Sequence, residues 1–124
     1  MILNLYTHEG LIELPNILLD ENKRYELGIL SVGGVLNQPM SAPKIIGIYY
    51  DGIKAMSGPN PYLIMSYLIG RQAFNFAPGN ITYYQLRTNQ LNATRLKFEV
   101  LNAAIEFSDI YIQISIREEN DENK

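Results

Sequence analysis

The chain has 124 residues, the size of one domain and too short for two ordinary ones. Hydrophobic residues make up 47% of it and charged residues 19%, which is too much core-forming side chain and too little charge for a disordered chain. Ten Lys and Arg against thirteen Asp and Glu give a formal charge of -3, arguing against a phosphate-gathering surface and nucleic acid as a partner; the lack of cysteine excludes disulfides, thiolate nucleophiles and sulfur-based zinc sites.

The opening Met1-Ile2-Leu3-Asn4-Leu5-Tyr6-Thr7-His8-Glu9 lacks a basic start and a long apolar run, so neither a signal peptide nor a membrane span is expected. Leu11-Ile12-Glu13-Leu14 reads as a short strand. Along Arg24–Val32 the alternation turns Tyr25, Leu27 and Ile29 to the core, and Gly28 leaves room for a close neighbour or a bulge. Gly33-Gly34 is expected to end that strand in a turn by permitting positive φ, since no helix, Lys or Ser/Thr follows to complete a phosphate loop. Lys44–Tyr50 is a further strand, and Asp51-Gly52 after it signals a hairpin with Ile53-Lys54-Ala55-Met56. Asn60 before Pro61 has the form of a helix cap and first helical position, predicting a short helix over Pro61–Ile69 closed by Gly70. A buried strand would have much the same composition.

Ile81–Arg87 reads as a strand, and Arg95–Val100 alternates strictly, placing Leu96, Phe98 and Val100 on one face. Ile110, Ile112, Ile114 and Ile116 form a β-branched row facing inward along the last strand. From residue 118 onward no apolar side chain anchors the chain, so a single domain over 1–117 and a disordered acidic tail over 118–124 are expected. Seven or eight short strands with one wet face cannot form a single open sheet without exposing their apolar side. The expected fold is all-β, an antiparallel β-sandwich of jelly-roll type with one short helix.

Reactive constellations are scarce. His8 is the single histidine, and no Ser has the Gly-x-Ser-x-Gly setting of a hydrolase nucleophile. Glu9 with Glu13, or Glu99 with Glu106, could supply paired carboxylates, but Glu99 points to solvent in a strand that alternates cleanly. Asp20-Glu21-Asn22 and Asp51 fit turns better than a calcium loop. The basic residues are scattered rather than clustered, which removes the usual footprint of nucleic acid or anionic lipid. No catalytic residue, metal ligand or cofactor is therefore assigned, and the chain does not read as an enzyme.

Tyrosine is in excess: nine Tyr against four Phe and no Trp, with doublets at Tyr49-Tyr50 and Tyr83-Tyr84. Strand neighbours face opposite ways, so one ring of each doublet should enter the core and the other should look outward. Tyr49, Tyr50, Tyr83 and Tyr84 are the interface candidates, because tyrosine buries area while keeping a hydroxyl for hydrogen bonding. Ordinary sheet propensity accounts for the same doublets.

Two stretches carry a resemblance to a known family. Leu14–Ser31, with an apolar turn leading into Tyr25-Glu26-Leu27-Gly28-Ile29, resembles the opening of the small single jelly-roll coat proteins of Polinton/Maverick elements and adintovirus-like viruses. Tyr84–Phe98, followed by Ile110–Arg117, is similar to their close, where a "Y-x-apolar-x-x-x-x-L-N-x-x-R" element precedes two final strands. Between them the chain departs from the family: Val32-Gly33-Gly34-Val35-Leu36-Asn37-Gln38-Pro39 stands where the family has a "YNSIPNI"-like segment. The resemblance implies a penton-type coat protein whose activity lies in packing surfaces, so it transfers no functional residue.

The function expected from strands, tyrosines and resemblance is structural: a viral or virus-derived coat or vertex protein that forms a homo-oligomer, a trimer or pentamer. Other coat proteins or a host receptor are further partners, nucleic acid and membrane are not, and the location is the virion or the cytoplasm or nucleus of the producing cell. The alternative is a ligand-binding sandwich, lectin-like or a receptor-binding knob, with outward tyrosines as stacking platforms for sugars. An enzyme would need His8, Glu9 and Glu13 gathered at one pocket.

Overall fold

Strict alternation buries Leu96, Phe98 and Val100 while exposing Arg95, Lys97 and Glu99, so that segment lies with one face on a core and one in solvent. The same rule organises the whole chain in a computed structural model, which describes residues 1–119. A five-stranded sheet contains β1 (Ile2–Thr7), β3 (Tyr25–Leu36), β6 (Ala73–Phe76), β7 (Tyr83–Gln85) and β9 (Phe107–Glu118). A four-stranded sheet contains β2 (Leu11–Glu13), β4 (Lys44–Tyr50), β5 (Leu63–Ile69) and β8 (Arg95–Val100). The two pack face to face as an antiparallel β-sandwich around Leu27, Leu36, Ile46, Leu96, Ile110 and Ile114, all fully buried. Among the described residues no helix is long and apolar enough to cross a membrane.

The pairing is nested. β1 pairs with β9, β2 with β8, β3 with β6 and β7, and β4 with β5, in alternate sheets. Two further pairings, β3 with β9 and β4 with β8, knit each sheet together across its middle. Sheet orders of β1-β9-β3-β6 and β2-β8-β4-β5 result, with β7 also on β3.

Of the two uses that Gly28 suggested, a close neighbour or a bulge, the structure has the first at that position. The Gly28 position is covered by Ile81 and Tyr83, whose atoms would lie 2.7 and 3.1 Å from an added Cβ. A bulge follows between Ile29 and Ser31, and it moves the inward set from Leu27 and Ile29 to Val32, Gly34 and Leu36.

Four expectations are corrected. The segment Pro61–Ile69 is no helix: Leu63–Ile69 is β5, paired along β4, because an almost uniformly apolar run suits a strand beside a buried neighbour as well as it suits a buried helix. The described helical structure is one 3-10 turn, Leu91–Ala93. Gly33-Gly34 is not a turn but part of β3, with neither residue at positive φ. Asp51-Gly52 does not form a hairpin with Ile53–Met56; the chain turns away from the sheet there, Ile53 bridges Leu86, and the neighbours of β4 are β5 and β8. Finally, Glu118 still belongs to β9 and the Glu119 N–H donates to the Arg24 carbonyl, so the structured chain runs past residue 117; the rest of the expected tail lies outside the described residues.

The adjacent glycines of β3 serve different ends. A Cβ at Gly34 would sit 2.7 Å from the Asp109 carbonyl oxygen and 2.8 Å from the Phe74 ring, whereas one at Gly33 would meet its nearest atom at an ordinary 3.5 Å. Gly34→Ala is therefore expected to destabilise the fold by about 1–3 kcal/mol through overpacking. Gly33→Ala should change stability by less than about 0.5 kcal/mol. Urea unfolding of the two variants measures the contrast.

Candidate functional site

The alternation rule sorts the tyrosine doublets. In β4, Tyr50 turns inward and is fully buried, its hydroxyl 2.8 Å from the Thr94 Oγ1, which itself donates to the Leu91 carbonyl. Tyr50 is thus part of the core, which corrects its inclusion among the interface candidates. Tyr49 faces outward, half-buried, with the Lys97 ammonium 5.7 Å from its ring centre. In β7, Tyr84 lies opposite the inward Leu27 and donates its hydroxyl to the Ile64 carbonyl of the other sheet. Tyr83 lies over Gly28 under the Arg117 guanidinium, 3.4 Å from its ring centre, and donates to the Ser115 hydroxyl. Arg117 in turn pairs with Glu26 at 2.7 Å. Both rings of this doublet are half-buried and already engaged.

The exposed apolar surface lies elsewhere, on the four-stranded sheet. Ile45 and Leu68 are cross-strand partners on its outer face, and Leu68 is 62% exposed. Leu101, bonded through its N–H to the Ile45 carbonyl, lays its side chain over Gly47, where a Cβ would be only 2.9 Å away. Tyr49 continues the row along β4. The patch borders β5, an edge strand of seven residues that contains no charge and no proline. On its inner side, Tyr67 of β5 stacks on Phe76 of β6 at 3.8 Å between ring centres, joining the edges of the two sheets.

A second grouping sits on the outer face of the five-stranded sheet. Tyr6 and Tyr111 are register partners in β1 and β9 with ring centres 4.7 Å apart, and both are exposed. The Tyr6 hydroxyl donates to Asp109 and lies 2.9 Å from His8 Nδ1. Its pKa is pushed up to about 12, chiefly by the hydrogen bond to Asp109, with burial and carboxylate charge adding to it. A phenol held neutral in this way is a poor base or nucleophile near pH 7, so the group fixes a ring rather than activating one. Sequence reasoning missed Tyr6 because it is no part of a doublet; the alternation of Ile2–Thr7 was the available signal.

The acids that could pair are divided: Glu99 and Glu106 come to one cavity with Glu9 and His8, and Glu13 stands apart from it. Glu13 pairs with Arg95 at 3.2 Å, whereas His8 is engaged by Tyr6 and Asp109. A cavity of about 900 Å³ between the β1–β2 and β8–β9 loops is lined by His8, Glu9, Glu99 and Glu106, without Glu13. Among the described residues, no three His, Asp or Glu side chains form a metal-binding group. Comparison with protein families, curated proteins and solved structures gives no match to this chain.

Burial pushes the Tyr50 phenol up to about 12, partly opposed by the Thr94 hydrogen bond. The unfolded chain releases this proton near pH 10 and the folded chain only near 12, so stability is complete below pH 10 and falls between the two values. The fall contributed by this residue should approach about 1 kcal/mol per pH unit. Tyr50→Phe should flatten that decline, and at neutral pH it should cost about 1 kcal/mol for the lost hydrogen bond. Chemical unfolding across this pH range reads both effects.

Proposed function

We propose that this protein is a structural assembly unit, a small coat or vertex protein of jelly-roll type whose work is to join copies of itself. The observation that carries the reading is the uncharged edge of β5 bordered by the outward Leu68, Ile45 and Leu101. Monomeric sheets blunt their edges with lysine, proline or a bulge; β5 has no charge or proline, its irregularity is confined to Ile64 near its start, and the regular run Met65–Ile69 is a template for another chain. Contiguous exposed apolar side chains beside it add a driving force for covering that edge.

The strand order supports the jelly-roll part. A double Greek-key winding folds one long hairpin so that its arms pair alternately in two sheets, and the pairs β1·β9, β2·β8, β3·β6/β7 and β4·β5 support that reading. The resemblance of the chain's two ends to small viral coat proteins points the same way. In a closed trimer or pentamer the β5 edge and its patch meet a different surface of the next copy, so that every copy is covered alike. Tyr49, next to the patch, is the interface candidate that this arrangement retains.

Light scattering on the purified protein at micromolar concentration should give the mass of a trimer or pentamer. Leu68→Glu should raise the dissociation constant about tenfold or more while leaving the strand signal in circular dichroism unchanged. A monomer at every concentration, or an oligomer indifferent to Leu68→Glu, contradicts the proposal.

A further inference from the structure

We propose that the groove across the outer face of the five-stranded sheet is a binding site for neutral saccharides. The inference is independent of the assembly reading, which uses the opposite face of the sandwich.

The groove is built by register. Tyr6, Tyr111, Gly33 and Asn75 are successive cross-strand partners from β1 through β9 and β3 to β6. In the neighbouring row Asn4 pairs with Gln113, and Gln113 with Ser31. At the centre stands Gly33, and the missing side chain opens a volume of about 580 Å³ between the tyrosines and Asn75. That is within the range of small-molecule sites. Nothing in the backbone demands glycine there: φ is not positive, and a Cβ would make only ordinary contacts of 3.5–3.8 Å. The opening is therefore the consequence of this glycine that the fold itself does not need.

The chemistry of the lining selects the ligand. No ionisable residue other than the two tyrosines borders the groove, which disfavours phosphates, carboxylates and amines. Tyr111 is 56% exposed, and Tyr6 beside it is pinned by Asp109, so an aromatic wall is held in place before any ligand arrives. Gln113 Nε2 donates to Asn4 Oδ1 at 3.0 Å, which orients both amides. It leaves the Asn4 amide donors and the Gln113 carbonyl oxygen without partners among the described residues, and the Asn75 side chain is likewise unpartnered. A flat aromatic face beside a ring of amide donors and acceptors matches a pyranose, which offers an apolar C–H face and a rim of hydroxyls.

Titration of the isotopically labelled protein with maltose, lactose, mannobiose and diacetylchitobiose, each to about 10 mM, tests this by amide chemical shifts. At least one sugar should shift the amides of Gly33, Asn75, Tyr111 and Gln113 as a group. Tyr111→Ala and Gly33→Leu should each weaken that binding at least tenfold while keeping the dispersed spectrum of the folded chain and its oligomeric mass. Gly33→Ala should weaken it less than Gly33→Leu. In a second arm, binding to a desialylated glycoprotein that disappears when its glycans are removed identifies a glycan as the source of the sugar; binding that survives their removal counts against the proposal. Absence of shifts with every sugar, shifts elsewhere on the molecule, or equal binding by Gly33→Leu overturns it.

Discussion

The antiparallel pairing of β3 with β9 is the constraint on which the rest of the structure depends. Both strands are twelve residues long, and they run together from Tyr25 opposite Glu118 to Leu36 opposite Phe107. Every other strand of that sheet is attached to one of them: β1 to β9, and β6 and β7 to β3. The inward row Ile110, Ile112, Ile114 and Ile116 supplies one wall of the core, and the bulge in β3 lets Val32 and Leu36 join Leu27 and Ile29 on the same side. Because the paired residues are far apart in sequence, a large loop-closure entropy is lost before this contact repays it, and such topologies fold slowly.

The same pairing determines what the outer surface offers. Gly33 stands beside Tyr111 only because the register after the bulge puts it there; without the shift, β3 would present the other set of its side chains. The faces of the sandwich then differ in kind. The five-stranded sheet carries hydroxyls, amides and a Tyr83–Arg117–Glu26 cluster, while the four-stranded sheet shows Ile45, Leu68 and Leu101 next to an uncharged edge, with the charged Arg95, Lys97 and Glu99 on β8. The two proposals use these surfaces separately, the first for a polar ligand and the second for a copy of the chain.

Much of the sandwich is legible in the sequence wherever one strand face is wet. Arg95–Val100 and Ile110–Ile116 alternate because each has a core side and a solvent side, and the alternation survives in the observed burial. Where that asymmetry is missing, the signal fails. β5 is apolar at nearly every position, and Asn60-Pro61 in front of it imitates a helix start, so the pairing partner β4, which local sequence does not contain, decides its form. Glycine misleads for a related reason: Gly33-Gly34 permits a turn, yet Gly34 is there because the Asp109 carbonyl and Phe74 leave no room for a Cβ. The tyrosine doublets stand out by composition, but Tyr50 and Tyr84 spend their hydroxyls inside the fold and Tyr83 spends its own on Ser115 at the outer face. The rings left exposed as a pair, Tyr6 and Tyr111, come from opposite ends of the chain and meet only through the β1–β9 register.

Native-state amide hydrogen exchange tests the central role of this strand pair most directly. The hydrogen-bonded amides of Leu27–Leu36 and Ile110–Ile116 are expected to exchange last and only through global unfolding, while those of β5 and β1 open earlier. Slowest exchange in β5 or β1, with β3 and β9 opening before the rest of the molecule, would contradict that role.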